Sequence, residues 1–263
     1  MTRAWQNHAH DRHTAMRIQR VHLLQPLRVG EAVELPAAAC EHLLRVLRLP
    51  EGSPLLLCNG DGMDYRATLV DVGKRGAKAR VLDASANHAE SPLRVVLAQA
   101  LARGEKMDWV IQKATELGVS AIRPIVTERT EVRLDAERAG RRLAHWQAIA
   151  VAACEQSGRA LVPAVFEPVP LAAYAAGVEA DAIRLALDPD GVALADALDR
   201  NALQATTSIH LVIGPEGGLS ERDHAQLRAA GFRGMRLGPR ILRTETAGLA
   251  ALAAMQALAG DFS

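Results

Sequence analysis

From Leu93 onward, short apolar runs of strand length alternate with stretches of helical periodicity, and this alternation constrains the fold more than any other feature of the chain. Leu93 to Ala100 is a continuous apolar run, Lys106 to Leu117 is helical and closed by Gly118 as C-cap, and Ala121 to Val126 is again strand-like. A long helix is predicted from about Asp135 to Gln156, strands near Ile183 to Leu187 and Ile209 to Ile213, and a last helix from about Thr244 to Ala259. Strands linked through helices run parallel, and strands apolar on both sides must be covered on both faces. The spacing therefore predicts an α/β domain over residues 93–263.

The chain before it follows another pattern. Between Arg17 and His88, strand-like runs (Pro54 to Cys58, Tyr65 to Asp71, Ala77 to Leu82) are punctuated by turns, of which Asn59-Gly60-Asp61-Gly62 is the clearest hairpin signal. One helix, about Ala37 to Arg48, interrupts them. Residues 17–88 read as a small β-rich, barrel-like module, and residues 89–92, Ala-Glu-Ser-Pro, as a linker. Residues 1–16 are polar and aperiodic, the pattern of a disordered tail, with Met16 an alternative start. Their histidines, His8, His10 and His13, have no Cys and a single acidic residue, Asp11, beside them, and are not read as a metal site.

Charge and composition narrow the function. The 31 Lys and Arg against 30 Asp and Glu leave a net charge of +1, so a strongly basic footprint is absent. Aromatics make up 3%, too few for rows of base-stacking rings. The first 88 residues nevertheless carry 12 basic against 9 acidic groups, and Lys74, Arg75, Lys78 and Arg80 cluster there. Three distant cysteines, Cys40, Cys58 and Cys154, make neither a disulfide framework nor a zinc site, which fits a reducing cytoplasm. The most apolar segment, Ala247 to Ala259, is shorter than the roughly 18 residues a membrane span needs.

Open parallel sheets bind ligands beyond the C-terminal ends of their strands. Two loops there stand out. Ile213 is followed by Gly214-Pro215-Glu216-Gly217-Gly218-Leu219-Ser220, where glycines let backbone approach a ligand and Ser220 can cap the next helix. Leu237-Gly238-Pro239-Arg240-Ile241-Leu242-Arg243 runs into the last helix, with Thr244 or Thr246 as N-cap and Glu245 in its first turn. Capping leaves Arg240 and Arg243 unexplained, and both can face an anion. Neither a Walker loop nor GxGxxG is present.

The combination IGPEGGLS with LGPRILRTETA resembles the bacterial 16S rRNA uracil-N3-methyltransferases, the RsmE family of the SPOUT superfamily. The blocks His42 to Leu49, Glu105 to Asp108, Gln112 to Val119 and Cys154 to Arg159 resemble the same family, so the likeness runs from Met16 to the C-terminus. It implies an N-terminal PUA-like RNA-binding β-barrel and a SPOUT methyltransferase domain with a C-terminal trefoil knot. It also implies S-adenosylmethionine as cofactor, a homodimer, and as substrate a uridine of 16S rRNA within the 30S subunit. No metal and no membrane enter this picture.

On that resemblance, the cofactor-binding candidates are Ile213, Gly214, Glu216, Gly217, Gly218, Leu237, Gly238, Ile241, Leu242 and Thr244. Arg243 is the catalytic candidate for stabilising charge on the uracil oxygens. Glu245 is a candidate for accepting the N3 proton or orienting Arg243, with Glu216 as its competitor. Lys106 reads as an ordinary exposed residue at a helix start. Arg45, Arg48, Lys74, Arg75, Lys78 and Arg80 are the candidate phosphate contacts. Arg159 is a further candidate for RNA phosphate or for the partner subunit's site, with compensation of a helix dipole as its alternative role. Three other functions compete: methylation of another rRNA or tRNA position, a ribosome-assembly protein without catalysis, and, least favoured for want of a phosphate loop or a metal-ligand cluster, an ATP-linked transferase.

Overall fold

The computed structural model describes residues 18–74, 76–132, 136–198 and 208–262. The predicted tail and Arg75 lie outside the described residues. The chain divides into two compact units, one reaching Asn59 and resuming over Met63–Ala86, the other comprising Gly60–Gly62 and everything from Asn87 onward.

The first unit is a five-stranded sheet built from β1 (Gln19–His22), β2 (Ala32–Glu34), β3 (Pro54–Cys58), β4 (Met63–Gly73) and β5 (Gly76–Ala86), in the order β1-β3-β4-β5-β2. β1 runs parallel to β3 and the remaining neighbours are antiparallel. Alternation decides the faces: Ala77, Ala79 and Val81 are buried with Leu55, Leu57 and Leu69, while Lys78, Arg80 and Leu82 point the other way. The helix predicted to Arg48 is shorter. It begins as α1 (Ala37–Cys40) and widens into a π-type turn over Glu41–Val46, where the Leu47 N–H reaches His42 O at 2.9 Å. Arg48, at φ +53°, ends it.

The second unit contains β6 (Val95–Ala100), α2 (Lys106–Glu116), β7 (Ala121–Val126), α3 (Ala136–Ser157), β8 (Ala164–Val165), β9 (Val169–Pro170) and α4 (Leu171–Ala176). It continues through β10 (Ile183–Ala193), α5 (Leu194–Ala197), β11 (Ile209–Ile213), α6 (Glu221–Ala229), β12 (Arg233–Arg236) and α7 (Thr244–Ala259). The strands stand in the order β12-β10-β11-β6-β7-β8, with β9 also on β7, and every pair is parallel. Val95, Leu97, Leu211 and Ile213 pack on one face with Met107, Trp146, Leu252 and Met255. Ala98, Ala100 and Val212 pack on the other with Tyr174, Leu227 and Phe232. This is the two-faced parallel sheet that the apolar runs imply.

Two features place the site. β12 lies at the edge of the sheet, and from it the chain returns through residues 237–243 to set α7 against β11 and β6. β10 is bulged between Leu187 and Val192, and there Gly191 lies so close to β12 that a Cβ would stand 2.4 Å from the Gly234 carbonyl carbon. No side chain fits between these two backbones.

Arg159 requires a correction. Its side chain is only 5% exposed, and its Nε and Nη2 donate to Glu90 Oε2 at 3.0 and 2.8 Å. Its Nη1 donates to the carbonyl oxygens of Thr115 and Val119 at 2.8 and 2.9 Å. The guanidinium ties the residues before β6 to the end of α2, and a donor set so occupied cannot serve RNA phosphate.

Candidate active site

The first loop begins where β11 ends. The Gly218 N–H donates to Pro215 O at 2.9 Å, closing a turn that Gly218 completes at φ +69°, a conformation costly for any residue with a Cβ. Ser220 then caps α6: its hydroxyl accepts from the Asp223 N–H at 3.1 Å, and Asp223 accepts from the Ser220 N–H at 2.9 Å. The capping reading of Ser220 therefore holds, with Asp223 completing the box.

The second loop departs from expectation at one point. The N-cap of α7 is Arg243, in extended conformation and without a side-chain cap bond, rather than Thr244 or Thr246. The Thr244 hydroxyl is committed elsewhere. It donates to Gly214 O at 2.6 Å and accepts from Gln99 Nε2 at 2.9 Å, so the start of α7, the loop after β11 and the end of β6 are joined by one chain of hydrogen bonds.

Between these loops lies a cavity of about 1360 Å³. Pockets for one small molecule occupy roughly 300–1,000 Å³, so this one has room for a cofactor and part of a second reactant. All twelve residues proposed for cofactor binding and catalysis line it: Ile213, Gly214, Glu216, Gly217, Gly218, Leu237, Gly238, Ile241, Leu242, Thr244, Arg243 and Glu245. Its apolar walls are completed by Leu187 and Ala247. The Arg243 and Arg240 side chains are exposed and have no ion-pair partner among the described residues.

Three contributors escaped the sequence reading. The β10 bulge brings Asp188, Pro189 and Asp190 to the cavity, and Asp-Pro after an apolar run was the signal available for it. Gln99 is fully buried in a run read as uniformly apolar. Lys106 is not an ordinary surface lysine: its Nζ lies 2.9 Å from Glu216 Oε1 and 3.6 Å from Glu245 Oε2.

The electrostatics follow from that lysine. Burial alone would raise the Glu216 carboxyl, but hydrogen bonds from Lys106 and from the Arg103 N–H, at 3.1 Å, outweigh it and hold the group below its ordinary value. Lys106 is raised in turn, chiefly by its hydrogen bond to Glu216. Glu245 Oε2 is buried and accepts no hydrogen bond among the described residues.

On the first unit, Arg45, Arg48, Lys74 and Arg80 are exposed. Arg45 lies 3.8 Å from Glu41, while Lys78 stands between Glu34 at 3.5 Å and Asp71 at 3.4 Å, which offsets its charge. Arg75 lies outside the described residues. Among the described residues, no group of three His, Cys, Asp or Glu is placed to hold a metal ion, and no helix is long and apolar enough to cross a membrane.

Comparison with known proteins bears on this geometry. Residues 89–256 match the family model of the RNA methyltransferase domain, and residues 35–82 that of the RNA methyltransferase PUA domain. The ribosomal RNA small subunit methyltransferase E of Bacillus subtilis is 34% identical over 218 residues, 81% of this chain and 85% of that protein. The crystal structure of a ribosomal RNA small subunit methyltransferase E from Neisseria gonorrhoeae bound to S-adenosyl methionine superposes with a TM-score of 0.86 at 39% identity, over 94% of this chain and 100% of that one. A putative methyltransferase from Legionella pneumophila, in complex with SAM, gives 0.87 at 34% identity over the same shares.

Proposed function

Since this chain belongs to the ribosomal RNA small subunit methyltransferase E family, we propose that it transfers the methyl group of S-adenosylmethionine to N3 of a uridine in the 16S rRNA of the 30S subunit. The α/β unit is the SPOUT methyltransferase domain, with its knot in the return from β12 to α7, and the smaller unit is the PUA-like domain. The observation that carries the reading is the convergence of all twelve candidates from two loops on one cavity.

The cavity suits such a cofactor. Leu187, Ile213, Leu237 and Leu242 offer an apolar slot for an adenine, and the glycines of both loops expose backbone amides and carbonyls to its edge. A Cβ on Gly214 would come within 3.0–3.2 Å of Leu219 and Gly218, so the turn would have to give by a few tenths of an ångström to take one. When bound, the cofactor supplies an electrophilic methyl on a sulfonium.

The chain's own residues supply the rest. The uracil N3–H must lose its proton for N3 to become a nucleophile, and the resulting charge spreads onto the carbonyl oxygens. Arg243, exposed at the cavity and without an ion-pair partner among the described residues, is placed to meet that charge with a fork of donors. Glu245, two residues on, supplies a carboxylate beside it to orient Arg243 or take the proton. The return of α7 against β6 and β11 positions both on a rigid helix start.

For docking, Arg45, Arg48, Lys74, Arg75 and Arg80 supply phosphate contacts, with Lys78 contributing less because its charge is offset. A nearly neutral chain with few such contacts recognises an assembled particle better than naked RNA. The enzyme acts as a homodimer in the cytoplasm. What supports the dimer is α7: it carries no charged residue after Glu245, and its outer side presents Ala250, Ala253, Ala257 and Leu258. A helix apolar on all sides requires cover on all sides.

The test is methyl transfer from labelled S-adenosylmethionine to undermethylated 30S subunits, with nucleoside analysis and calorimetric titration of the cofactor. Label in 3-methyluridine is expected. Cofactor binding with label in another nucleoside or only in another RNA would overturn the substrate, and absence of cofactor binding would overturn the enzyme.

A further inference from the structure

Two carboxylates, Glu216 and Glu245, share the cavity with a single ammonium, and the three do not stand symmetrically. Lys106 Nζ is 2.9 Å from Glu216 Oε1, within hydrogen-bond distance, and 3.6 Å from Glu245 Oε2, which is an ion-pair contact only. Glu216 Oε1 also accepts the Arg103 N–H at 3.1 Å. Glu245 Oε2 is buried and accepts no hydrogen bond among the described residues. A buried acceptor without a hydrogen bond is costly unless a ligand supplies a donor.

We propose that Lys106 is a positioning residue that makes Glu245 the acceptor of the uracil N3 proton, by binding Glu216 as a fixed anion and leaving Glu245 Oε2 free for a donor from the substrate. This rests on the methyl-transfer reading above and adds to it the identity of the base and the group that selects it. The step balances simply. The proton passes from N3 to Glu245 Oε2, giving a neutral carboxyl; the electron pair of the N–H bond stays on N3 as the nucleophile, and the carboxyl later releases its proton to solvent.

Glu216 is a poor base because protonating it would break two hydrogen bonds to a charged acceptor. Glu245 Oε2 gives up no hydrogen bond to a described residue on protonation, only the longer ion-pair contact with Lys106 at 3.6 Å. The charged groups around Glu245 are Lys106 at the start of α2, Glu216 from the loop after β11, and Arg240 and Arg243 from the loop before α7. Asp188 and Asp190 from the β10 bulge, Arg236 from β12 and His224 from α6 line the same cavity.

The geometry predicts that Lys106 acts on the rate and not on cofactor binding. Lys106→Met leaves Glu216 without its ammonium and able to compete with Glu245 for the substrate's donor, so the single-turnover rate is expected to fall about tenfold or more, a part of what general-base catalysis contributes. Lys106→Arg keeps a cation for Glu216 and is expected to recover most of that loss. A lysine that only supported the fold would change rate and cofactor affinity together. The experiment is single-turnover methyl transfer to 30S subunits, with cofactor affinity by calorimetry, on Lys106→Met, Lys106→Arg and Glu245→Gln.

A rate lowered about tenfold or more in Lys106→Met and recovered in Lys106→Arg, and a rate lowered about 100-fold or more in Glu245→Gln, each with cofactor affinity within about threefold of wild type, would support the proposal. A Lys106→Met or Glu245→Gln rate within about threefold of wild type, or rate and cofactor affinity falling together, would overturn it. Inactive wild-type protein in the same assay would instead count against the methyl-transfer reading.

Discussion

Gln99 Nε2 donates to Thr244 Oγ1 at 2.9 Å, joining the C-terminal end of β6 to the first residue of α7 across 145 positions of sequence. Thr244 passes the link on to Gly214 O at 2.6 Å, so a fully buried amide and one hydroxyl hold the two loops of the cavity in register. Thr244→Val keeps the shape and removes the hydroxyl, leaving Gly214 O and Gln99 Nε2 each short of a partner. The expected cost is about 1–3 kcal/mol in urea unfolding, with weakened binding of S-adenosylmethionine by calorimetry. Gln99→Leu with Thr244→Val will cost less than the sum of the two, because both break the same chain. Additive losses would show the link to be incidental.

The strands were legible where burial is periodic or continuous: Pro54–Cys58, Ala121–Val126 and Ile209–Ile213 fall at the residues their apolar runs mark. The last helix runs from Thr244 to Ala259 as expected. β12 was not legible, because its four residues, Arg-Gly-Met-Arg, bury only Met235 and carry no repeat. The site separated along the same line. Loop residues declared themselves by glycine and by resemblance, but Lys106 and Gln99 matter through partners 110 and 145 positions away, and local sequence carries no trace of such pairings. Arg159 failed for the converse reason: nothing near it in sequence announces Glu90, 69 positions earlier.

The closeness of β10 to β12 yields a second prediction. At Gly191 a Cβ would stand 2.4–2.6 Å from three backbone atoms of Gly234 and Met235, none of which can swing aside as a side chain could. Gly191→Ala must separate the two strands, and a loss of about 3 kcal/mol or more is expected, in the range of severe core overpacking. Gly238→Ala has open space around its Cβ and only the positive φ of +71° to oppose it, so about 1 kcal/mol is expected. Chemical denaturation of both variants ranks them. Equal losses would mean that β10 and β12 adjust to the added methyl.

Arg159 supplies the third. Removing the Arg159 guanidinium takes donors from Glu90 and from the Thr115 and Val119 carbonyls, while Glu90, 21% exposed, keeps the N–H groups of Ala160 and Leu161, so a cost of about 1–3 kcal/mol is expected. Arg159→Ala is therefore expected to lower the urea midpoint strongly, whereas Arg80→Ala should leave it within about 0.5 kcal/mol, as exposed substitutions do. Affinity for 30S subunits across salt concentrations separates the roles. Arg80→Ala should reduce the salt slope by about one, and folded Arg159→Ala should keep the wild-type slope. A reduced slope in Arg159→Ala would return that residue to the RNA surface.

His210 lies on β11 at the opposite face from the Gln99 link, with Tyr174 Oη 2.7 Å from its Nδ1 and Glu179 Oε2 3.1 Å from its Nε2. Burial depresses its affinity for a proton more than Glu179 restores it, so the folded value lies below the unfolded 6.5. Between those values the unfolded chain binds more protons than the folded one, and stability rises with pH. The contribution is therefore complete above about 6.5 and is lost as pH falls through the folded value. His22, also lowered by burial, acts in the same direction from the first unit. Urea midpoints measured from pH 8 to pH 5 should fall on acidification, and His210→Gln should flatten the curve without abolishing it, since His22 remains. A curve as steep as wild type would mean that Glu179 keeps His210 charged in the folded state, and that its ring is held by an ion pair instead of by the tyrosine.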